Sequence, residues 1–341
     1  MKFTKEVVKA IKKFILINID KNSDTITQIT VDHFRISKPT VLKYINELID
    51  EGLIEKKGSN RYPKYRLYTE ETEFKYQNVD LEEDIIWAKD ISTKLININQ
   101  NVRDICQYGF TEMVNNVIDH SESKNLSIRL KQSYKTITMY VYDSGIGIFK
   151  KIQQDLGLLD PKHSILELAK GKFTSDPDNH TGEGIFFTSR IFDSFCIMSH
   201  LLTYIGMGNE DGWMFEDIEG DISGTVVAMM INKKNLTTID TIFNEYADPD
   251  KIPGFHRTVI PVELMQHEGE ALLSRSQAKR LITRFDKFLE VVLDFKGVKQ
   301  IGQSFADQIF RVFQREHPNV HLKPIHMNES VKKMVSRIQN A

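Results

Sequence analysis

Residues Ile137-Thr138-Met139-Tyr140-Val141-Tyr142 alternate as a strand does and run directly into Asp143-Ser144-Gly145-Ile146-Gly147-Ile148. No other stretch restricts the fold so tightly. A strand that ends in an acid and two glycines one residue apart must deliver its carboxylate to a place where backbone can come very close to something else. The acid can accept a hydrogen bond from an amino group, such as that of a purine base, and the glycines leave room for the ring.

Other segments carry matching signals. Residues 101–120 place Val102, Ile105, Cys106, Phe110, Met113, Val114, Val117 and Ile118 at helical spacing, the stripe of a helix packed on a sheet. Glu112 and Asn116 stand one turn apart on a single face of that helix. Alone, an acid and an amide at this spacing are commonplace. Downstream, His180-Thr181-Gly182-Glu183-Gly184-Ile185 is a glycine turn opening an apolar helix, where backbone amides can hold phosphate oxygens. Ser223-Gly224-Thr225-Val226-Val227 then puts a small residue and a hydroxyl at the head of an apolar strand.

In this order, E-x-x-x-N, D-x-G-x-G, G-x-G and G-T resemble the motifs of the GHKL superfamily, the Bergerat-fold group of ATPases and kinases, over residues 81–233. The resemblance implies ATP and Mg2+ as cofactors, Glu112 as the catalytic or water-orienting acid, and Asn116 as the magnesium ligand. It implies Asp143 as the reader of adenine, Gly145 and Gly147 beside the base, Gly182 and Gly184 at the phosphates, and Thr225 below the adenine. Residues between Gly147 and Gly182 would form the family's ATP lid, including Lys170 and the Thr174-Ser175-Asp176-Pro177 turn. Lys172, also in the lid, either reaches the terminal phosphate or is an exposed lysine. An acid at position 112 is typical of ATP-hydrolysing members and of anti-sigma serine kinases, whereas many histidine kinases carry asparagine there. No phosphoacceptor helix is evident: His33 and His120 are not placed as that reaction requires.

Charge singles out the N-terminus. Residues 1–68 carry 14 lysines and arginines against 8 acids in a chain whose net charge is −2. Helical periodicity occurs at Val7, Val8, Ile11, Phe14 and Ile15, again near Ile29 and Phe34, and again at Val41, Leu42, Ile45, Leu48 and Ile49. Ser37 is a candidate N-cap and Pro39 is tolerated in a first turn. After Gly52, residues 53–57 and 65–68 read as strands. Three helices and a basic hairpin resemble the winged helix-turn-helix family, which implies double-stranded DNA as a partner, contacted by Thr40, Lys43 and Tyr44 on the third helix and by Arg61 and Lys64 on the wing. Docking of protein in place of DNA is the other reading of such a module, as in a defence or stress sensor. Residues 69–80 are acidic and without periodicity, which places a domain boundary there.

Strands and helices alternate through the last third: strands at 258–262, 290–295 and 321–325, and helices at 276–288, 304–313 and 329–338. The string from Val292 to Asp307 resembles the STAS-like domain, over residues 254–341, which implies a protein partner. Ser304 is read either as a helix N-cap or, from the resemblance, as a phosphoacceptor of a GHKL kinase. The expected architecture is therefore α+β and multi-domain: a winged helix over 1–70, a GHKL α/β sandwich over 81–235 and a small α/β STAS-like domain over 254–341.

Composition excludes several classes. With 40% hydrophobic and 27% charged residues the chain has ordinary globular character. Apolar runs stay well short of the roughly 20 residues needed to cross a bilayer, and the first residues lack a signal-peptide stretch, so no membrane partner and a cytoplasmic location are expected. Cys106 and Cys196 have neither CxxC spacing nor a histidine at ligand spacing, and read as buried thiols without a structural metal. The functional expectation is an ATP-binding, slowly hydrolysing regulator of transcription whose nucleotide state governs DNA or partner binding. A serine kinase acting on its own or a partner's STAS domain is the alternative, and a homodimer is left open.

Overall fold

The first helix starts where the sequence supplies a cap. Thr4 accepts a hydrogen bond from Val7 N at 3.4 Å, and α1 (Lys5–Asn18) follows with Ile11, Ile15 and Leu16 buried. The computed structural model describes residues 3–59, 62–173, 182–207, 210–216, 222–247, 254–266 and 271–340. Contacts divide the chain into two units, one of residues 1–73, 129–138 and 232–234, the other of residues 74–128, 139–231 and 235–341.

In the first unit, α2 (Ile26–Phe34) ends at Arg35, and α3 (Lys38–Asp50) begins with Pro39 in its first turn and buries Val41, Tyr44, Ile45 and Leu48. β1 (Ile54–Gly58) and β2 (Pro63–Leu67) pair antiparallel with Ile54 opposite Leu67. Helices and hairpin close on one apolar core, against which Tyr134 also packs. Lys135 joins the same unit through an ion pair with Asp20 at 2.6 Å.

Residues 69–80 were expected to be an aperiodic boundary, but β3 (Glu70–Gln77) lies within them and opens a seven-stranded sheet. Phe74 and Tyr76 provide the alternation, and Glu71 pairs with Arg129 and Lys131, both at 3.2 Å. After α4 (Glu83–Ile86), extended by a π-helical turn to Ile91, comes α5 (Gln100–His120), whose buried face carries the apolar stripe from Val102 to Val117. β4 (Asn125–Gln132) and β5 (Thr136–Asp143) lead into α6 (Ile148–Leu156), α7 (His163–Lys170) and α8 (Gly184–Ile191). β6 (Ser194–His200), β7 (Leu202–Met207), β8 (Glu210–Glu216) and β9 (Ile222–Asn232) complete the sheet, in the order β3-β4-β5-β9-β6-β7-β8. β9 thus inserts between β5 and β6, which brings the ends of β5 and β9 together.

The last third follows α9 (Ile239–Tyr246). β10 (Arg257–Pro261), β11 (Glu290–Asp294) and β12 (His321–Ile325) form a parallel sheet with β11 in the centre. β11 buries three consecutive residues, Val291, Val292 and Leu293, as a strand covered on both faces must. The crossovers are α10 (Arg275–Ile282), started by a Ser274–Gln277 capping box, and the helical stretch made of α11 (Gln303–Asp307), a π-helical segment and α12 (Gln314–Glu316). α13 (Glu329–Gln339) closes the chain, capped by Asn328. The N-cap of α11 is Gly302, so Ser304 does not have the capping role considered from sequence; the extended backbone that a cap requires falls two residues earlier. Among the described residues no helix is long and apolar enough to cross a membrane.

Candidate functional site

Crossing order, helix phase and glycine turns create one cavity of about 320 Å³. α5 contributes Glu112 and Asn116 from successive turns, β5 ends with Asp143 at the wall, and β9 adds Thr225 beside it. Gly147, Gly182 and Gly184 line the same space. Seven residues singled out in four separate stretches of sequence therefore meet, and apolar side chains including Val141, Ile148, Leu168 and Phe186 fill the rest of the wall. The volume lies at the lower end of what small-ligand pockets enclose, roughly 300 to 1,000 Å³.

Asp143 is held in place rather than free to swing. It is 9% exposed, its Oδ1 accepts from Gly145 N at 2.8 Å, and Thr225 also bonds it. Thr225 Oγ1 in turn accepts from Ile148 N at 3.0 Å, so the hydroxyl proton is directed at the carboxylate. Burial raises the Asp143 pKa above the ordinary carboxylate range, and the bonds from Gly145 and Thr225 oppose that rise. Gly145 N and both the hydroxyl and the backbone of Thr225 bond the carboxylate from within the protein, and its two oxygens carry about four acceptor sites in all.

Several glycines around the cavity leave no room for a side chain, Gly147 and Gly184 among them. Gly147 has φ +87°, and a Cβ there would lie 2.5 Å from Ser199 Oγ and 2.8 Å from His200 Nε2. At Gly184 a Cβ would collide with the Glu112 carboxylate, so the first residue of α8 must be bare for Glu112 to stand against the helix start. Gly145 and Lys172 do not line the cavity. Gly145 instead packs on the Ser121 carbonyl. The Lys172 ammonium donates to Lys287 O at 3.0 Å and sits 4.9 Å over the Phe288 ring, and burial lowers its pKa. The Thr174-Ser175-Asp176-Pro177 turn lies outside the described residues.

Asn115, Asp119 and His120 on α5 and Lys151 and Asp155 on α6 also line the cavity, although none belongs to the four motifs. Helical phase held the signal: positions 115, 116 and 119 share the Glu112 face, and Lys151 stands one turn into the helix that Gly147 opens. Lys151 pairs with Asp155 at 3.4 Å and with Glu122 at 3.9 Å, which sets an ammonium group at the wall.

On α3 of the first unit, Lys43 is exposed and lies 3.8 Å from Glu47, while Thr40 is half-buried with its hydroxyl 2.8 Å from that of Ser37. Tyr44 departs from expectation. It is 5% exposed and belongs to the core, because positions 41, 44, 45 and 48 form the inward stripe of the helix. Lys64 is exposed on β2; Arg61 lies outside the described residues. Ser304 is exposed near the start of α11.

Residues 277–332 match the family described as STAS-like domain of unknown function (DUF4325). The match covers α10, β11, the crossover helices, β12 and the start of α13, so the C-terminal part of the chain is STAS-like. No curated protein matches the sequence.

Proposed function

We propose that the cavity binds ATP in the manner of the GHKL group and that the chain is a nucleotide-dependent regulator. What carries this reading is the convergence of Glu112, Asn116, Asp143, Gly147, Gly182, Gly184 and Thr225 on one cavity, with Asp143 buried and oriented by Thr225. In this reading the Asp143 carboxylate accepts from the adenine amino group. The Gly182 and Gly184 backbone, at the start of α8, faces the phosphates. Glu112 orients and deprotonates a water for attack on the terminal phosphorus, giving ADP and phosphate. The Asn116 amide oxygen, one turn from Glu112, is the hard oxygen donor suited to Mg2+, which would neutralise charge on the phosphate oxygens when bound. Lys151 supplies a positive wall.

Calorimetric titration of the full chain with Mg-ATP tests this. Asp143→Asn is expected to weaken binding about tenfold or more, since a hydrogen bond to a charged group contributes about 1.5–3 kcal/mol. Glu112→Ala is expected to keep binding and lose phosphate release. Absence of binding at millimolar ATP, or equal affinity in Asp143→Asn, would remove the reading.

For the first unit we propose DNA contact through a winged helix, supported by the exposed Lys43 and Lys64 and the basic balance of residues 1–68. Lys43→Glu with Lys64→Glu is expected to abolish a duplex gel shift and flatten its salt dependence. An unchanged shift would transfer the module to protein docking. Exposure of Ser304 favours one second reading, a serine kinase acting on a STAS-like domain; phosphoserine found by mass spectrometry after incubation with ATP would select it over hydrolysis.

A further inference from the structure

One wall of the cavity runs through α7 to Phe173, with Leu168, Gly171 and Phe173 facing the space. The back of this wall is bonded to the C-terminal part of the chain at almost every step. Arg284 Nη1 donates to Glu167 Oε2 at 2.8 Å and Arg284 Nη2 to Gly171 O at 2.5 Å. Lys170, with no exposed surface, donates from Nζ to Glu167 Oε1 at 2.6 Å and to Arg280 O and Thr283 O at 3.2 and 3.0 Å. Those two carbonyls end α10, a helix terminus that attracts a cation and whose carbonyls need donors. Thr258 Oγ1 donates to Lys170 O at 2.8 Å, and Lys172 reaches Lys287 O.

Backbone geometry marks the same junction. Arg284 and Lys172 both hold positive φ, +66° and +53°, a conformation uncommon for residues other than glycine, asparagine and aspartate. Strain on both sides of a contact persists only when the surroundings dictate it.

We propose that Arg284, within the STAS-like match, is a positioning residue for the nucleotide cavity: its guanidinium fork fixes the spacing of Glu167 and the Gly171 carbonyl, and so ties nucleotide affinity to the state of the STAS-like domain. This rests on the nucleotide reading above. A planar guanidinium fork presents two donors at a fixed spacing and direction, whereas a lysine gathers all its donors on one nitrogen at the end of a flexible stem. Anything that moves α10 or Arg284, such as a protein seated on the STAS-like domain, changes the cavity wall. By linkage, nucleotide in return favours the state of the 280–288 segment in which these bonds are made.

The test uses the full chain. Arg284→Lys keeps the charge beside Glu167; it is expected to raise the KM for Mg-ATP about tenfold with kcat within about twofold, while the melting midpoint without nucleotide falls by no more than about 4 °C. In the wild-type protein, Mg-ADP is expected to slow amide hydrogen exchange across 280–288 at least threefold, a reading that holds even where the variant does not fold. Asp143→Asn is the control for the cavity itself. If Asp143→Asn loses nucleotide while Arg284→Lys keeps the wild-type KM and exchange across 280–288 ignores Mg-ADP, the junction is packing alone and the proposal fails. Should the wild-type chain bind no nucleotide, the nucleotide reading falls and takes this inference with it.

Discussion

Asp143 carries the sharpest residue-scale consequence. Its pKa is raised by burial, so the fold favours the protonated acid more than water does. The stabilising contribution of that protonated form is present below the ordinary aspartate range and is lost as pH rises through the raised value. On the proposed reading nucleotide binding runs the other way, because the ionised carboxylate accepts from an amino group more strongly than the protonated acid does. ATP affinity is therefore expected to decline as pH drops through a window above the usual carboxylate range. In Thr225→Val, which removes an opposing hydrogen bond, that decline is expected at higher pH, and titrations across pH 4–8 by calorimetry would show the displacement. Cysteine chemistry gives a second check. Burial pushes Cys106 up to about 12 and Cys196 to about 11, leaving a thiolate fraction on the order of 10⁻³ or less at pH 8. Neither thiol is expected to react with a disulfide reagent within minutes in the native protein, and both are expected to react once it is unfolded. Residue chemistry was legible where several weak signals had to agree. Glu112 with Asn116 meant little until Asp143, Gly184 and Thr225 appeared in sequence, and the cavity now contains them all. Tyr44 is hard to place from its own chemistry, because its ring suits either a core or a surface; the helical phase it shares with Val41, Ile45 and Leu48 puts it in the core.

Elements with one strong period were readable, and those with competing signals were not. α5 declared itself through an apolar stripe that now packs Phe110, fully buried, against Trp87 at 5.4 Å between ring centroids. Phe110→Ala is expected to destabilise the fold by about 3–5 kcal/mol, measured by denaturant unfolding. β3 was obscured by Glu70, Glu71 and Glu73, which resemble a linker until Arg129 and Lys131 are seen beside them. Tyr76 in that strand donates to Asp90 Oδ2 at 2.7 Å, and its pKa is raised by burial first and by Asp90 second. Tyr76→Phe is expected to cost about 1 kcal/mol in the same measurement. Local pattern gave the alternation of the last third, but the parallel register of β10, β11 and β12 depends on pairings between residues more than thirty positions apart.

At the scale of the molecule, the least readable feature is the junction between α7 and α10. Lys170 in sequence looks like any helix-terminal lysine, yet it is completely buried among Glu167, Arg280 and Thr283. Its counter-charge Glu167 is one turn away, but nothing in a linear pattern announces the Arg280 and Thr283 carbonyls, over a hundred positions on, that complete its bonding. Burial on its own lowers the pKa of this lysine, with Glu167 opposing. Lys170→Ala leaves the α10 carbonyls without their donor and is expected to destabilise by about 3–5 kcal/mol. Lys170→Ala combined with Glu167→Ala is expected to cost less than the two single changes added together, a coupling measurable in a double-mutant cycle.

β3 also bears on how this protein can be dissected. A fragment begun at residue 80, where the sequence alone suggests a clean start, loses the outermost strand and leaves β4 with unpaired backbone groups. It loses Glu70, Glu71 and Glu73 as well, the charges that deter other chains from adding to that side of the sheet. Such a fragment is expected to self-associate, whereas one begun at residue 69 keeps its acidic fence and stays dispersed.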